Sequence, residues 1–275
     1  MLTHSTILPE PQEEKVALPP YPRRCSSARA VLRQYCIVTR IMLMEYRTSW
    51  FLQIFMALIL PIGIIFFLKS VGEVKSTTQA IFLLGGNMAT SIAFGPTNFL
   101  VAKMGWAKQI QEFDFWMALP LSKLTLVFAI IAVSLLFALP GLVGVYVLGS
   151  VLFGLPLMVQ HLLLVPCIPL CVLPMAGLGT LLGHYAPNGP TANVLGNLLI
   201  VFVGFLSPMM IPMDVLPVPL QIIARFVPTT YVADAFRAIL ANQINLAVGF
   251  DLLFLVFFSG LLLTLSYVFL DWRAA

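Results

Sequence analysis

Six long apolar segments restrict this chain to one class of architecture. They cover about Trp50 to Leu68, Thr78 to Ala102, Leu124 to Leu148, His161 to Leu182, Thr191 to Leu206 and Phe250 to Leu270. A membrane-spanning helix needs about 20 mostly apolar residues, and only helices and closed barrels satisfy the backbone inside lipid. With 60% hydrophobic residues, 9% charged residues and a mean hydropathy of +0.99, the sequence predicts an all-α membrane protein with six transmembrane helices.

The stretch from Ser207 to Leu240 is apolar but cannot be one continuous helix. It contains five prolines, each of which removes a backbone donor and clashes with the preceding turn: Pro208, Pro212, Pro217, Pro219 and Pro228. Helical patterns remain at Leu220 to Phe226 and at Tyr231 to Leu240, the second with Thr229 or Thr230 as a candidate cap. The sequence predicts two short helices between spans five and six, at the membrane edge.

The first 48 residues predict a tail followed by an amphipathic helix. Residues 1–27 are rich in proline and charge, which predicts a disordered tail. Over residues 28–48, a stripe of arginines lies opposite an apolar face that contains Val38 and Met42. The stripe consists of Arg29, Arg33, Arg40 and Arg47. Its position just before the first span predicts a helix at the membrane interface with arginines near lipid headgroups, although a merely solvated face would give the same pattern.

The distribution of Lys and Arg predicts the orientation. With six spans, eleven of these residues fall on the side of the termini and four on the other side. The positive-inside rule then places both termini and residues 103–123 in the cytoplasm, and residues 207–240 outside. We expect a multi-pass protein of the plasma or inner membrane.

Catalytic, metal-binding and nucleic-acid-binding signatures are missing from the sequence. The three histidines are scattered, and no catalytic motif or pair of carboxylates within a span occurs. The four cysteines lack metal-site spacing and are predicted to be packing residues. The basic residues gather at one end of the chain, without a patch of aromatic partners for nucleic acid. We therefore expect no enzyme activity, no metal and no nucleic-acid partner.

Residues 103–123 predict a docking surface for another protein. The chain has no P-loop, so ATP and its Mg²⁺ would have to be bound by a separate subunit. Aromatic side chains rimmed by polar ones suit a protein interface, and the predicted coupling residues are Gln111, Glu112, Phe113, Asp114, Phe115, Trp116 and Pro120. An amphipathic loop lying on lipid is the alternative.

Two motifs resemble those of the membrane subunit of type-2 ATP-binding-cassette (ABC) exporters. The segment Asp114 to Ser122 is similar to the family pattern E-x-L-x-x-T-P-x-S, with Asp114 in place of Glu and Leu119 in place of Thr. The broken stretch matches better, with Asp234 in place of the commoner Glu. Its matching residues are Pro212, Leu216, Pro217, Pro228, Tyr231 and Arg237. The resemblance covers about Ala28 to Asp271.

The resemblance implies an exporter of the drug- or antibiotic-efflux kind that contains two copies of this chain, or this chain and a related one, bound to two ATPase subunits. It implies a single transmembrane domain over residues 28–275, with an extracellular gate of two re-entrant helices. The implied gate residues are Pro212, Pro217, Pro228, Tyr231, Asp234 and Arg237. Substrates across the family include drugs, peptides, lipids and glycans.

An amphipathic or hydrophobic small molecule is the expected substrate. Polar residues on spans two and five are the pathway candidates: Asn87, Ser91, Asn193 and Asn197. Export of a lipid-linked glycan or polysaccharide is an alternative, as are an ion-coupled secondary transporter and a membrane scaffold. Ion coupling usually requires an ionisable residue deep within a span, and the sequence shows none.

Overall fold

A computed structural model describes residues 28–48, 50–70, 74, 76–112, 115–116, 119, 122–155, 159–209, 211–243 and 245–269. Every regular element within these ranges is helical. The α-helices, numbered here in chain order, are α1 (Ala28–Glu45), α2 (Trp50–Ser70), α3 (Thr77–Gln109), α4 (Lys123–Phe153), α5 (Leu164–Tyr185), α6 (Gly189–Leu206), α7 (Val218–Ala224), α8 (Pro228–Leu240) and α9 (Leu246–Phe269). Short 3-10 turns cover Tyr46–Thr48, Val159–Leu163 and Met213–Val215. The predicted all-α fold is confirmed.

Five helical segments in the described part of the chain are long and apolar enough to cross a membrane. They are Trp50–Phe67, Leu124–Phe153, His161–Tyr185, Gly189–Leu206 and Leu246–Ser266. The helix α3 is not among them, although its 33 residues would extend about 50 Å. Glycine, asparagine and threonine make it the least apolar of the long helices, so the sixth span stays a prediction.

The helix α3 lies at the centre of the bundle, in contact with α2, α4, α5, α6 and α8. Small residues allow its neighbours to approach closely. A Cβ added to Gly105 would lie 2.2 Å from the Cβ of Ala192 on α6. On α5, a Cβ added to Gly179 would lie 2.9 Å from the carbonyl oxygen of Thr97. Because helices in lipid gain most from close packing, these contacts fix α3 among its partners.

Prolines inside the long helices are accommodated by neighbouring helices. Pro61 has no N–H, so the carbonyl of Ala57 loses its usual donor one turn away. Gly141 of α4 lies against this carbonyl, where an added Cβ would be 2.8 Å from the oxygen. A small residue on α4 therefore packs against the backbone of α2 one turn before its proline.

The first helix is amphipathic, as its arginine stripe predicts. Val38 and Met42 are buried, and α1 packs against α4. Arg29, Arg33 and Arg40 are exposed on the other side. The α-helix ends at Glu45, three residues before its predicted end, and exposed Arg47 follows in the 3-10 turn. The predicted tail, residues 1–27, lies outside the described residues.

The broken stretch forms the two predicted helices, α7 and α8, although both begin earlier than predicted. Pro219 and Pro228 stand in the first turn of α7 and α8, where the missing N–H has no helical acceptor to lose. The prediction of a threonine cap for α8 is wrong. Val227 precedes the helix without a side-chain cap, and the Thr230 hydroxyl instead donates to the carbonyl of Ala224 at 2.7 Å.

Candidate functional site

The predicted coupling segment begins inside α3. The residues Lys103 to Gln109 continue the helix beyond the predicted end of the span, because no breaker interrupts it. Gln111 then adopts a positive φ of 56° and turns the chain away from the helix axis. The first part of the segment is thus an extension of the central helix, and its polar side chains are carried by α3.

Lys103 joins three parts of the chain. Its ammonium lies 2.8 Å from the carboxylate of Glu45, at the end of α1, and 3.0 Å from that of Glu112, in the coupling segment. The Lys103 side chain is 7% exposed, that of Glu112 15% and that of Glu45 49%. A buried ammonium between two carboxylates holds α1, α3 and the coupling segment together.

Electrostatics keep Lys103 charged in this position. Burial lowers the pKa of its ammonium, but the hydrogen bonds and charges of Glu45 and Glu112 raise it by more. The pKa of Lys103 is therefore raised above its ordinary value. Burial likewise raises the pKa of the neighbouring Tyr46, which stays neutral.

The predicted aromatic surface is only partly exposed. Phe115 is 58% exposed, as predicted, but the prediction that Trp116 is exposed is wrong, because it is 5% exposed. The indole N–H of Trp116 donates to Glu112 at 2.9 Å, and its ring lies beside Met42 and Leu126. Gln111 is exposed. The predicted coupling residues Phe113, Asp114 and Pro120 lie outside the described residues.

A cavity of about 640 Å³ lies beside α3, within the usual range for small-molecule sites. Between Thr90 and Lys103 it follows α3 for about 20 Å. Its lining comes from the end of α1 and the residue after it, from α2, α3, α4 and α6, and from two residues after α3: Glu45, Tyr46, Gln53, Ala57, Pro61, Thr90, Ser91, Phe94, Gly95, Asn98, Phe99, Ala102, Lys103, Trp106, Ile110, Glu112, Phe137, Ala138, Gly141, Asn193, Asn197 and Ile200.

Three of the four pathway candidates line this cavity, namely Ser91, Asn193 and Asn197. The fourth, Asn87, is 1% exposed and donates from its amide to the carbonyl of Pro61 at 2.8 Å. Asn87 therefore stabilises the contact between α2 and α3.

Sequence reasoning missed Asn98 as a lining residue. Its amide donates to the side-chain oxygen of Asn197 at 3.3 Å, which links α3 to α6. The signal was present, since Asn98 lies seven residues after Ser91 and so on the same face of α3. The cavity thus has a polar strip of amides along one side.

Aromatic rings form an apolar part of the lining. Tyr46 lies 5.2 Å from Phe99 and 5.4 Å from Phe137 between ring centroids, and Phe99 and Phe137 are 5.8 Å apart. We call these three residues the aromatic cluster. Because Tyr46 follows Glu45 directly, the cluster lies next to the exposed carboxylate.

Arg237, one of the predicted gate residues, fixes the other end of the bundle. Its guanidinium donates to the carbonyls of Pro208 and Met209, each at 2.7 Å, and to Asp234 at 3.0 Å. It also lies 3.6 Å from the centre of the Phe82 ring. Arg237 therefore attaches both α8 and the chain before α7 to α3. Asp234 and Arg237, three positions apart on α8, form an ion pair.

The remaining gate residues differ in burial. Pro228 is buried, whereas Pro212 and Pro217 are exposed. The Tyr231 ring stacks on Phe254 of α9 at 4.0 Å, and its hydroxyl donates to the carbonyl of Arg225. Burial raises the pKa of Asp234 although the charge of Arg237 opposes it.

The turn between α5 and α6 is tied to the end of α3. The Lys108 ammonium donates to the carbonyls of His184 and Ala186, and Gln109 accepts from the N–H of Gly189 at 3.1 Å. Burial lowers the pKa of Lys108. No sequence pattern predicts these contacts. Through these contacts, the end of α3 also holds the turn between α5 and α6.

Within the described residues, no group of three or more His, Cys, Asp or Glu side chains is placed to hold a metal ion. Cys167 and Cys171 are buried in α5, and Cys36 is exposed on α1. The polar residues brought together here serve helix contacts and the cavity.

A bundle of apolar helices with a docked amphipathic helix is the architecture of a multi-pass membrane protein. The family model described as ABC-2 type transporter matches residues 33–241. The chain belongs to this family and is a transmembrane subunit of an ABC transporter, a permease component that pairs with an ATP-binding subunit. No curated protein matches the chain.

Proposed function

We propose that the chain is the membrane subunit of an ATP-driven exporter that moves an amphipathic or hydrophobic small molecule out of the cytoplasm or inner leaflet. Two copies of the chain would work with two ATPase subunits, which bind ATP and Mg²⁺. Both termini and the coupling segment face the cytoplasm, and α7 and α8 form the extracellular gate. The chain itself carries no catalytic site.

One observation carries this proposal: Lys103 bridges Glu45 and Glu112 at one end of a 640 Å³ cavity. The bridge makes α1, the end of α3 and the coupling segment one unit. When the ATPase subunits close on ATP, a push on the coupling segment is passed to α1 and α3 together. Since α3 also lines the cavity, movement of this unit changes the shape of the substrate site.

Phe115 is the residue that best suits contact with the ATPase subunit. It is 58% exposed and follows Glu112 by three positions in the coupling segment. Aromatic residues such as phenylalanine are enriched at protein interfaces. The ring of Trp116 packs against that of Phe115, with the two ring centroids 5.3 Å apart.

Co-purification with the ATPase subunit tests the proposed function. The chain is tagged, co-expressed with its ATPase subunit and isolated in mild detergent. Phe115→Ala should lower the retained ATPase about tenfold and leave the melting temperature of the isolated chain unchanged. Phe226→Ala is the matched control, because this ring is 70% exposed at the other end of the bundle. If Phe115→Ala retained as much ATPase as the wild type, Phe115 would not be part of the docking surface.

A further inference from the structure

The end of the cavity nearest α1 carries excess negative charge. Two carboxylates, those of Glu45 and Glu112, meet the single ammonium of Lys103. Glu112 is 15% exposed and accepts from both Lys103 and the indole N–H of Trp116, whereas both oxygens of Glu45 accept from Lys103 alone. Glu45 is 49% exposed. The unbalanced charge is therefore presented by Glu45, at the cavity wall.

Other cations nearby do not cancel this charge. Lys103 is the one cationic residue among the described residues that line the cavity. Lys108, one turn further along α3, donates to the carbonyls of His184 and Ala186. Arg47 is exposed and lies outside the lining. A ligand in the cavity therefore meets the carboxylate of Glu45 without a competing free ammonium.

The aromatic cluster adjoins this carboxylate. Tyr46 follows Glu45 in the chain, and its ring contacts those of Phe99 and Phe137. Aromatic faces attract organic cations, most strongly where water is displaced. A carboxylate next to a group of rings combines charge attraction with apolar surface, whereas an anion would meet repulsion from Glu45.

We propose that the cavity selects amphipathic organic cations, with Glu45 as the charge partner and Tyr46, Phe99 and Phe137 as the surface for the apolar part. The amide pair of Asn98 and Asn197 lies elsewhere in the lining and suits polar groups of the same ligand. This inference rests on the proposed function and adds the chemical class of its substrate.

Binding of two lipophilic ions of matched shape tests the inference. The full-length chain in a neutral detergent is titrated with tetraphenylphosphonium and with tetraphenylborate. Glu45→Gln should weaken phosphonium binding about tenfold and leave borate binding unchanged or stronger. Detergent takes up both ions, but comparison of wild type with each variant at one detergent concentration removes this contribution.

Three further variants separate charge from structure. Glu45→Asp keeps the carboxylate and should restore most phosphonium binding. Tyr46→Leu should weaken phosphonium binding severalfold, since an aliphatic side chain provides apolar surface without a ring face. Asp214→Asn, an exposed carboxylate near α7, should bind both ions like wild type. Unchanged phosphonium binding by Glu45→Gln, or equal binding of both ions by wild type, would overturn the inference.

The outcome is separable from that of the proposed function. The titration uses the isolated chain, whereas the proposed function is tested by retention of the ATPase subunit. Glu45-dependent phosphonium binding without ATPase retention would uphold the cation site and reject the exporter. ATPase retention together with equal binding of the two ions would uphold the exporter and reject the cation site.

Discussion

Gly86 of α3 lies directly against the main chain at Met209. A Cβ added to Gly86 would be 1.7 Å from the carbonyl oxygen of Met209. This carbonyl cannot easily withdraw, because it accepts a hydrogen bond of 2.7 Å from Arg237. The chain between α6 and α7 thus depends on a glycine at this position of the central helix.

We therefore expect Gly86→Ala to separate the segment at Met209 from α3. The substitution should lower the free energy of unfolding by about 2–3 kcal/mol, the cost typical of overpacking, despite the better helix propensity of alanine. Thermal unfolding of the chain in detergent measures it. Gly95→Ala is the control on the same helix, since no atom lies within 4 Å of its added Cβ. Equal melting temperatures for the two variants would contradict this packing.

Replacing Lys103 by methionine should destabilise the chain and uncouple it from the ATPase. Methionine fills similar space but leaves Glu112, 15% exposed, beside Glu45 without a counter-charge. The expected loss is about 2–3 kcal/mol, less than for a fully buried pair because Glu45 is half exposed. Thermal unfolding measures stability, and ATP hydrolysis by the assembled complex measures coupling.

A second substitution distinguishes charge from shape at Lys103. In Lys103→Met with Glu112→Gln, one of the unpaired carboxylates is removed, so the double variant should recover about half of the lost stability. Strict additivity of the two single variants would show that Lys103 and Glu112 do not interact.

The stability contributed by Lys103 should depend on pH in a defined direction. Its pKa in the folded chain is raised above the ordinary value of 10.5. A raised lysine pKa gives stability that is complete below the unfolded-state pKa and is lost as pH rises through the folded-state pKa. The melting temperature of wild type should therefore exceed that of Lys103→Met by a constant amount from pH 7 to about 9. The difference should shrink above about pH 10.5. Shrinkage on the acidic side of pH 9 would assign the effect to another group.

Helix positions were predictable where one local rule decides them. The apolar segments and the arginine stripe of α1 follow from hydropathy and a period of 3.6 residues, and both appear in the structure. Boundaries were less predictable at prolines, because Pro219 and Pro228 begin helices when they stand in a first turn.

The site was less predictable because it depends on contacts between distant residues. Lys103 and Glu45 are 58 positions apart, and no sequence pattern pairs them. Trp116 was predicted to be exposed because a polar neighbourhood suggests a surface, yet Glu112 satisfies its N–H and leaves the ring buried. Asn87 likewise has the composition of a pathway residue but bonds to a proline carbonyl on α2.

Arg237 should not be replaceable by lysine. Its guanidinium serves the carbonyls of Pro208 and Met209 together with Asp234, which a single ammonium cannot reach at once. We expect Arg237→Lys to cost about 1–2 kcal/mol, the range for losing satisfied buried acceptors. Arg225→Lys is the matched control, because Arg225 is exposed in the same stretch. The melting temperatures of the two variants in detergent give the comparison, and a similar loss in both would assign the effect to charge alone.

The labelling rates of single introduced cysteines should show which pathway candidates are accessible to water. Asn197→Cys lies in the cavity wall at an exposed position and should react quickly with a membrane-impermeant maleimide. Asn87→Cys, at a position that is 1% exposed, should react at least about tenfold more slowly, since burial removes the thiol from solvent. Cys25 and Cys36 are first replaced by serine, because Cys36 is exposed and Cys25 lies outside the described residues. Labelling of Asn197→Cys as slow as that expected for Asn87→Cys would mean that the cavity does not admit water at Asn197, and the pathway would then have to run along another face of α3.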